Sequence, residues 1–296
     1  MLQLTLALRR WLIQHEARAI ELPRTTKIDA RIRRLFPFEL TDDQQSVIAE
    51  IAADMGGAVP MNRLLQGEVG SGKTVVAEYA MLLAVAHGCQ AALMAPTEIL
   101  AQQHLRVLQR DLKQSRVSIE LVTGAMSESQ RKDVQRRVAD GDVDIVIGTT
   151  ALLNEDLSFR RLGLVVIDEQ HKFGVQQRAA LRQAAEAPHF LVMTATPIPR
   201  TVTLALFGDL DVSTLKGSPA GRQSVHTYLG QEEQRERWWD FFCKKLREGR
   251  QGYVVVPRVE QSDSEEVASV ELLFEHLTNG PLADFRVGLI HGRMPS

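Results

Sequence analysis

Short apolar runs alternate with longer stretches of mixed polarity over the first two thirds of the chain. The runs are too short for core helices and lack the alternation of half-exposed strands, so they predict strands buried on both faces. The stretches between them space their apolar residues as amphipathic helices do. Together they predict a parallel sheet with right-handed crossovers. The predicted strands are 64–66, 91–95, 118–122, 145–147, 164–167 and 190–193, and the predicted helices are 42–55, 75–85, 99–113 and 127–140.

The pattern changes beyond Arg200. Residues 217–222 have the Gly, Ser and Pro content of a linker. Strands at 225–229, 253–256 and 287–290 and helices at 232–248 and 265–277 then predict the start of a second α/β unit. Its predicted core residues are Trp238, Trp239, Phe241 and Phe242, with base stacking as the alternative role. We therefore predict a basic helical linker at 1–35, an α/β domain at 36–216, a linker at 217–223 and part of a second domain at 224–296.

Composition sets broad limits on location and partners. The chain has 296 residues and a net charge of −2, so its overall field does not attract nucleic acid. Residues 1–35 carry eight basic and three acidic side chains, which either contact a phosphate backbone or form a solvated face. The two cysteines, Cys89 and Cys243, lack metal-site spacing and indicate a reducing compartment. Without a signal sequence or a long apolar run, the expected location is the cytoplasm.

The strand at 64–66 runs into a glycine-rich loop followed by a helix. Residues 67–74 read Gly-Glu-Val-Gly-Ser-Gly-Lys-Thr and match the phosphate-binding motif G-x-x-x-x-G-K-T in full. Gly67, Gly70 and Gly72 allow the backbone of a loop that also contains Glu68, Val69 and Ser71 to approach phosphate oxygens. Lys73 is then expected to neutralise the β and γ phosphates, and Thr74 to supply a hydroxyl to Mg²⁺. A simple glycine-rich turn is the alternative.

A pair of carboxylates follows the buried strand at 164–167. Asp168 and Glu169 are placed at the carboxyl end of a parallel strand, where α/β sheets bind ligands. We expect Asp168 to hold the metal through water and Glu169 to polarise the attacking water. An exposed acidic cluster is the alternative.

Upstream of the loop, Phe38 and Gln44 suit an adenine pocket. Without the loop nearby, a phenylalanine is more often a core residue and a glutamine more often a surface residue.

The polar residues after the strands carry a resemblance to a known family. In order, the chain reads GEVGSGKT from Gly67, APTEIL from Ala95, TG from Thr123, GTTALL from Gly148, DEQH from Asp168 and TATPIPRT from Thr194. This series resembles the motor core of superfamily-two helicases and translocases. The residues DEQHKFGVQQR at 168–178, HGRM at 291–294 and the opening LQLTLALRR resemble the RecG family of bacterial branched-DNA helicases.

The resemblance implies a fold, a chemistry and a set of roles. The fold is a RecA-like P-loop NTPase domain followed by a truncated second RecA-like domain, and the cofactors are ATP and Mg²⁺. The implied activity is ATP-driven translocation on duplex DNA by a monomer that remodels forks and Holliday junctions, without a membrane. The implied roles are catalysis for Lys73, Asp168, Glu169 and His171, backbone contacts for Thr97, Gly124 and Thr149, and coupling for Thr194, Thr196 and Arg200.

The same resemblance implies that the second motor domain continues beyond Ser296 and supplies a catalytic arginine there. We therefore expect these 296 residues to bind ATP but to hydrolyse it slowly, and to bind DNA weakly. Two alternatives stay open. A motor like that of transcription-repair coupling factor typically reads DEEH where Gln170 stands here. A P-loop switch protein without nucleic acid has no use for polar strand ends at Thr97 and Thr149.

Overall fold

A computed structural model describes residues 18–124, 126–149, 152, 157–168, 188–195, 210–217, 225–256 and 263–290. Glu169, His171, Thr196 and Arg200, which the sequence predicted as site residues, lie outside these ranges. The chain divides into two compact units, Met1–Arg222 and Gln223–Ser296. The four-segment domain assignment itself stays a prediction.

The first unit is built on a parallel sheet of seven strands in the order β3-β4-β2-β5-β6-β1-β7. Strands β2, β4 and β6 are buried along their whole length, because helices cover both faces of the sheet. The six strands predicted from apolar runs are confirmed. The strands are β1 (Asn62–Gly67), β2 (Gln90–Met94), β3 (Ile119–Val122), β4 (Ile145–Gly148), β5 (Leu162–Asp168), β6 (His189–Thr194) and β7 (Asp211–Leu215).

The edge strand β7 was missed because its sequence, Asp-Val-Ser-Thr-Leu, has no apolar run. Among the described strands it pairs with β1 alone, and its buried residues Ser213 and Leu215 stand on either side of the exposed Thr214. Polar contacts hold it in place. The Asp43 carboxylate accepts hydrogen bonds from the Lys216 and Gly217 amides, and the Arg63 guanidinium donates to the Ser213 hydroxyl.

Four of the five described helices of the first unit begin at small polar residues. Thr25, Thr41, Thr97 and Ser127 each accept a hydrogen bond at the first turn of a helix, as N-cap residues do. None of the described helices is both long and apolar enough to cross a bilayer. The helices are α1 (Thr26–Arg33), α2 (Asp42–Met55), α3 (Lys73–Ala86), α4 (Glu98–Asp111) and α5 (Glu128–Asp140).

The helices form two layers, one on each face of the sheet. Helices α1 to α4 share one core, to which Ile32, Val47, Tyr79 and Leu108 contribute. Helix α5 packs on the opposite face through Val134 and Val138. The direction of the crossovers explains this division, since β1 to β3 proceed towards one edge of the sheet and β3 to β7 return towards the other.

Residues 18–35, which were assigned to a basic linker, pack on this core. Leu22 and Ile32 are buried in it. The Tyr79 hydroxyl donates a 2.6 Å hydrogen bond to Asp29, whose carboxylate also pairs with Arg24 and Arg33. Partial burial opposes ionisation of Asp29, but the hydrogen bonds from Tyr79 and Arg24 outweigh it and lower the pKa of this carboxyl. The first helix is therefore tied to α3, the helix that follows the glycine loop.

The second unit contains a 3₁₀ turn at Glu232–Gln234 and the helices α6 (Arg235–Arg247) and α7 (Asp263–Thr278). Both helices were predicted. The strands predicted at 225–229, 253–256 and 287–290 are wrong, since the described part of this unit contains no strand. Leu229, Val255 and Ile290 are at least 86% exposed. A strand is stabilised by its neighbours, and these apolar stretches have no described neighbour against which to pair.

The aromatic residues of α6 are divided between the core of the second unit and its surface. Trp239 and Phe242 pack against the buried Cys243, Leu277 and Leu282. The core role predicted for these two aromatic residues is confirmed. Trp238 and Phe241 are 44% and 55% exposed.

One buried carboxyl in the first unit is unusual. Glu78, on α3, is 1% exposed, and its Oε1 has no hydrogen-bond partner among the described residues. Burial raises the pKa of Glu78 from 4.5 to about 8; the Asp111 carboxylate adds to this rise, and Arg110 opposes it. The folded protein therefore holds the proton of Glu78 near neutral pH.

We predict that Glu78→Gln stabilises the first unit at alkaline pH. The unfolded chain releases the proton above about pH 4.5, whereas the folded chain keeps it until about pH 8. The stability contributed by Glu78 is thus complete at low pH and is lost as the pH rises through this window. The gain from the substitution should grow by about 3–4 kcal/mol between pH 5 and pH 8 in denaturant titrations. Glu128→Gln, at an exposed position, is the control. A gain that does not depend on pH would contradict the assignment.

Candidate functional site

The loop between β1 and α3 has a backbone that only glycines accommodate. Gly70 and Gly72 have φ angles of 82° and 90°, in the left-handed region. A Cβ at Gly67 would lie 2.5 Å from Ser71 Oγ. The three glycines therefore keep the loop tight and leave its backbone uncovered. Glu68, Val69 and Gly70 form its exposed tip.

Helix α2 supports the loop through one side chain. The Gln44 amide donates from Nε2 to the Ser71 carbonyl at 3.1 Å, and its Oε1 accepts from the Thr41 amide at 3.0 Å. Gln44 is 4% exposed, and a Cβ at Gly72 would lie 2.1 Å from its Nε2. The structure thus places Gln44 beneath the loop as a support. Its predicted contact with adenine stays a prediction.

Phe38 lies on the surface near the start of α2. It is 47% exposed and stacks on the buried Phe36, with ring centroids 6.0 Å apart. One ring is thus anchored, and the other presents aromatic surface to solvent. The predicted role of Phe38 in an adenine pocket is compatible with this exposure and stays a prediction.

The first turn of α3 differs from those of the other four described helices of this unit, because its N-cap is Gly72 and no side chain caps it. The Lys73 ammonium donates to the Gly67 and Glu68 carbonyls at 2.7 and 3.0 Å, which holds a positive charge against the loop. The half-buried Thr74 follows in the same turn. Positive charge, helix dipole and glycine backbone therefore coincide, and this combination binds phosphate groups.

The buried hydroxyl of Ser71 also bears on whether the loop fits a phosphate ligand. Its Oγ has no hydrogen-bond partner among the described residues, although Ser71 is only 3% exposed. Buried polar atoms are almost always paired, so an unpaired one inside a loop of this sequence suits a ligand that brings its own polar groups. The residues of the loop therefore fit a nucleotide phosphate.

Asp168 lies at the same edge of the sheet, two strands away from the loop. Strand β6 stands between β5 and β1, with Asp168 beside Met193 and Thr194 beside Gln66. Asp168, the fully buried Thr194 and the loop at Gly67 thus occupy adjacent strand ends. The ends of β5, β6 and β1 thus form one half of the carboxyl edge, the edge of the sheet at which all its strands end.

A histidine that sequence reasoning missed contacts Asp168. His104, on α4, lies with its Nε2 2.8 Å from Asp168 Oδ2, and it is 8% exposed. Its neighbours on the buried face of the helix, Ala101 and Leu108, are apolar. One indication of this role was present in the sequence, because His104 is a polar residue on the apolar face of a predicted amphipathic helix. Nothing in the sequence indicated which residue His104 contacts.

The other half of the carboxyl edge carries the predicted backbone contacts. Thr97, Gly124 and Thr149 follow β2, β3 and β4, which are neighbours in the sheet. Thr97 and Gly124 are exposed, and Thr149 is half-buried. The Gly124 amide donates to Glu98 Oε1 at 2.9 Å, which joins this loop to the first turn of α4. Hydroxyl and amide groups at strand ends suit contact with phosphates rather than with bases.

Few of the described residues are suited to coordinate a metal ion. No group of three or more His, Cys, Asp or Glu side chains comes together within the described ranges. Mg²⁺ does not require such a cage, because it is commonly held by one or two carboxylates together with phosphates and waters. Asp168 and Thr74 are therefore compatible with nucleotide-bound Mg²⁺.

Comparison with known proteins agrees with this geometry. The model of the DEAD/DEAH box helicase family matches residues 41–205, more than half of the chain. The ATP-dependent DNA helicase RecG of Synechocystis is 45% identical over 262 residues, which cover 88% of this chain and 32% of that protein. RecG of Bacillus subtilis is 43% identical over 266 residues, 90% of this chain and 39% of that protein.

A solved structure of RecG bound to a three-way DNA junction has a similar fold. It superimposes with a TM-score of 0.80 at 37% identity, covering 99% of this chain and 38% of the other. The chain thus spans less than half the length of the relatives that it matches. Since the family model covers more than half of the chain, including strands β1 to β6, the glycine loop, Asp168 and Thr194, the chain belongs to the DEAD/DEAH box helicase family.

Proposed function

We propose that this chain is part of an ATP-dependent DNA translocase of the RecG type, and that its first unit binds ATP and contacts DNA. One observation carries the proposal. The carboxyl edge of a single sheet is divided into a half with the glycine loop and Asp168, and a half with Thr97, Gly124 and Thr149. ATP turnover can drive movement on DNA only if the nucleotide site and the DNA site influence each other, which their position on one sheet edge allows.

In the nucleotide half, each group has a separate task. The backbone of Gly67–Gly72 and the first turn of α3 bind the phosphates, and Lys73 neutralises their charge. Thr74 and Asp168 are the residues that would hold Mg²⁺, which spreads the charge of the transferring phosphoryl group when bound. Glu169 is the proposed base, and His171 belongs to the same acidic motif. The buried Thr194, between Asp168 and the loop, is proposed to couple the two halves, together with Thr196 and Arg200.

In the DNA half, the proposed contacts are made to the sugar–phosphate backbone. Such contacts position a protein on DNA without reading its sequence, as a translocase requires. The relative whose solved structure contains a three-way DNA junction supports branched DNA as the substrate. We propose a monomer that acts in the cytoplasm on forks and junctions. A P-loop switch without nucleic acid is not favoured, because the relatives at 43–45% identity are named DNA helicases.

Nucleotide binding is tested by Lys73→Ala. We expect the Kd for ATP or ADP with Mg²⁺ to rise about 10- to 100-fold, because a charge-assisted contact with phosphate is lost. Isothermal titration calorimetry measures this directly. Lys132→Ala, at an exposed position on α5, is the matched control and should bind as the wild type does. Equal binding by the wild type and Lys73→Ala would rule out the assigned phosphate site.

DNA binding is tested by two threonines that make the same structural contact. Thr97 and Thr25 each accept a 3.3 Å hydrogen bond from the third residue after them, so replacement by Val removes the same cap from α4 and α1. We expect Thr97→Val alone to weaken the binding of a labelled duplex, by roughly tenfold in fluorescence anisotropy.

The salt dependence of these affinities should be the same in both variants, since a hydroxyl contact releases no counterion. Affinity should fall with salt and should not depend on the base sequence of the duplex. Equal weakening by Thr25→Val, or affinities that change with base sequence at constant salt, would contradict backbone contact at Thr97.

A further inference from the structure

The contact between His104 and Asp168 joins two parts of the chain that the proposed function treats separately. His104 lies on α4, the helix that begins at Thr97 in the DNA half. Asp168 ends β5 in the nucleotide half. Strands β2 and β5 are neighbours in the sheet, so α4 leaves the end of β2 close to the point where the two halves meet.

The chemistry of the contact settles which group donates. An ionised carboxylate has only acceptor positions, so the 2.8 Å contact is a hydrogen bond from His104 Nε2–H to Asp168 Oδ2. Both side chains are shielded from solvent, with 10% and 15% of their surfaces exposed. The bond therefore competes little with water and restricts the rotation of the carboxylate.

The amino-terminal end of α4, two turns before His104, is also constrained. Thr97 caps its first turn, and Glu98 Oε1 accepts the Gly124 amide. Ala101 and Leu108 anchor the helix in the core. A displacement of Thr97 and Gly124 by DNA would thus be transmitted along one short, packed helix to His104, and from there to Asp168.

We infer that His104 is a positioning residue that orients Asp168 for the metal and links its position to the DNA half through α4. The inference rests on the proposed function, since it takes Asp168 as the metal partner and Thr97 and Gly124 as DNA contacts. Residues that hydrogen-bond to metal-binding groups orient them, and their loss typically weakens metal binding about 10- to 100-fold. His104 Nε2 engages Oδ2 of the Asp168 carboxylate, so Oδ1 is the oxygen through which Asp168 would hold the metal.

The test is the affinity of Mn²⁺ for the complex of the chain with ADP, followed by the electron paramagnetic resonance signal of free Mn²⁺. His104→Leu keeps an apolar group in the core and removes the donor, so Mn²⁺ affinity should fall about 10- to 100-fold. His104→Gln places an amide N–H at similar reach and should restore affinity to within a few-fold of wild type. Gln102→Leu, at an exposed position of the same helix, should have no effect.

Thermal unfolding followed by circular dichroism shows whether each variant is folded. If His104→Leu does not fold, His104→Met takes its place, because it also lacks a donor and its unbranched side chain adapts to the cavity. Unchanged Mn²⁺ affinity in a folded variant without a donor would overturn the inference. Failure of His104→Gln to restore affinity would overturn it equally, because the hydrogen bond would then not be the cause.

A second measurement tests the link to DNA. Addition of a duplex should change the Mn²⁺ affinity of the wild-type complex by some factor, and by linkage Mn²⁺ should change the DNA affinity by the same factor. In His104→Leu that factor should approach one. A factor equal to that of wild type would overturn the coupling role. Absence of Mn²⁺-dependent ADP binding in the wild type would instead overturn the proposed metal site and, with it, this inference.

Discussion

The strands of the sheet all pair in parallel, and this pairing determines where each loop of the site lies. In a parallel sheet all strands end at one edge, and each loop that follows a strand leaves from that edge. Gly67, Asp168 and Thr194 therefore come together although they are far apart in the chain. The same rule collects Thr97, Gly124 and Thr149 at the ends of β2, β3 and β4. Strand order then separates the two groups, with β2 and β5 at the border.

The glycine loop shows how strongly the site depends on its supports. Its backbone geometry requires Gly67, Gly70 and Gly72, but the position of the loop depends on Gln44, whose amide is bonded to the Ser71 carbonyl and to α2. The segment at 18–35 adds a second layer of support, because Asp29 and Tyr79 tie α1 to α3. The phosphate site is thus held by core packing and buried hydrogen bonds rather than by the loop alone.

Local patterns in the sequence were sufficient for most of the first unit. Buried strands such as β2 and β6 are uniformly apolar, and the N-caps at Thr41 and Ser127 mark the helix starts. The motif at 67–74 is contiguous and could be recognised as it stands. These features depend on neighbours in the chain, which a sequence displays directly.

Features that depend on distant partners could not be predicted in this way. His104 and Asp168 are 64 residues apart, and no local pattern relates them. Strand β7 has no apolar run to be recognised by, because only Ser213 and Leu215 are buried and hydrogen bonds from β1 and from side chains of α2 and β1 supply much of its support. The opposite error occurred at 225–229, 253–256 and 287–290, where apolar sequence predicted strands that have no described neighbour to pair with.

Hydrogen exchange followed by mass spectrometry can show whether one half of this sheet edge binds nucleotide and the other half DNA. It would be measured on the chain alone, with ADP and Mg²⁺, and with a DNA duplex. We expect nucleotide to slow exchange chiefly at 67–75, and DNA to slow it chiefly at the turns after β2, β3 and β4, around Thr97, Gly124 and Thr149. Protection by both ligands centred on the same residues, or by neither at these positions, would contradict this expectation.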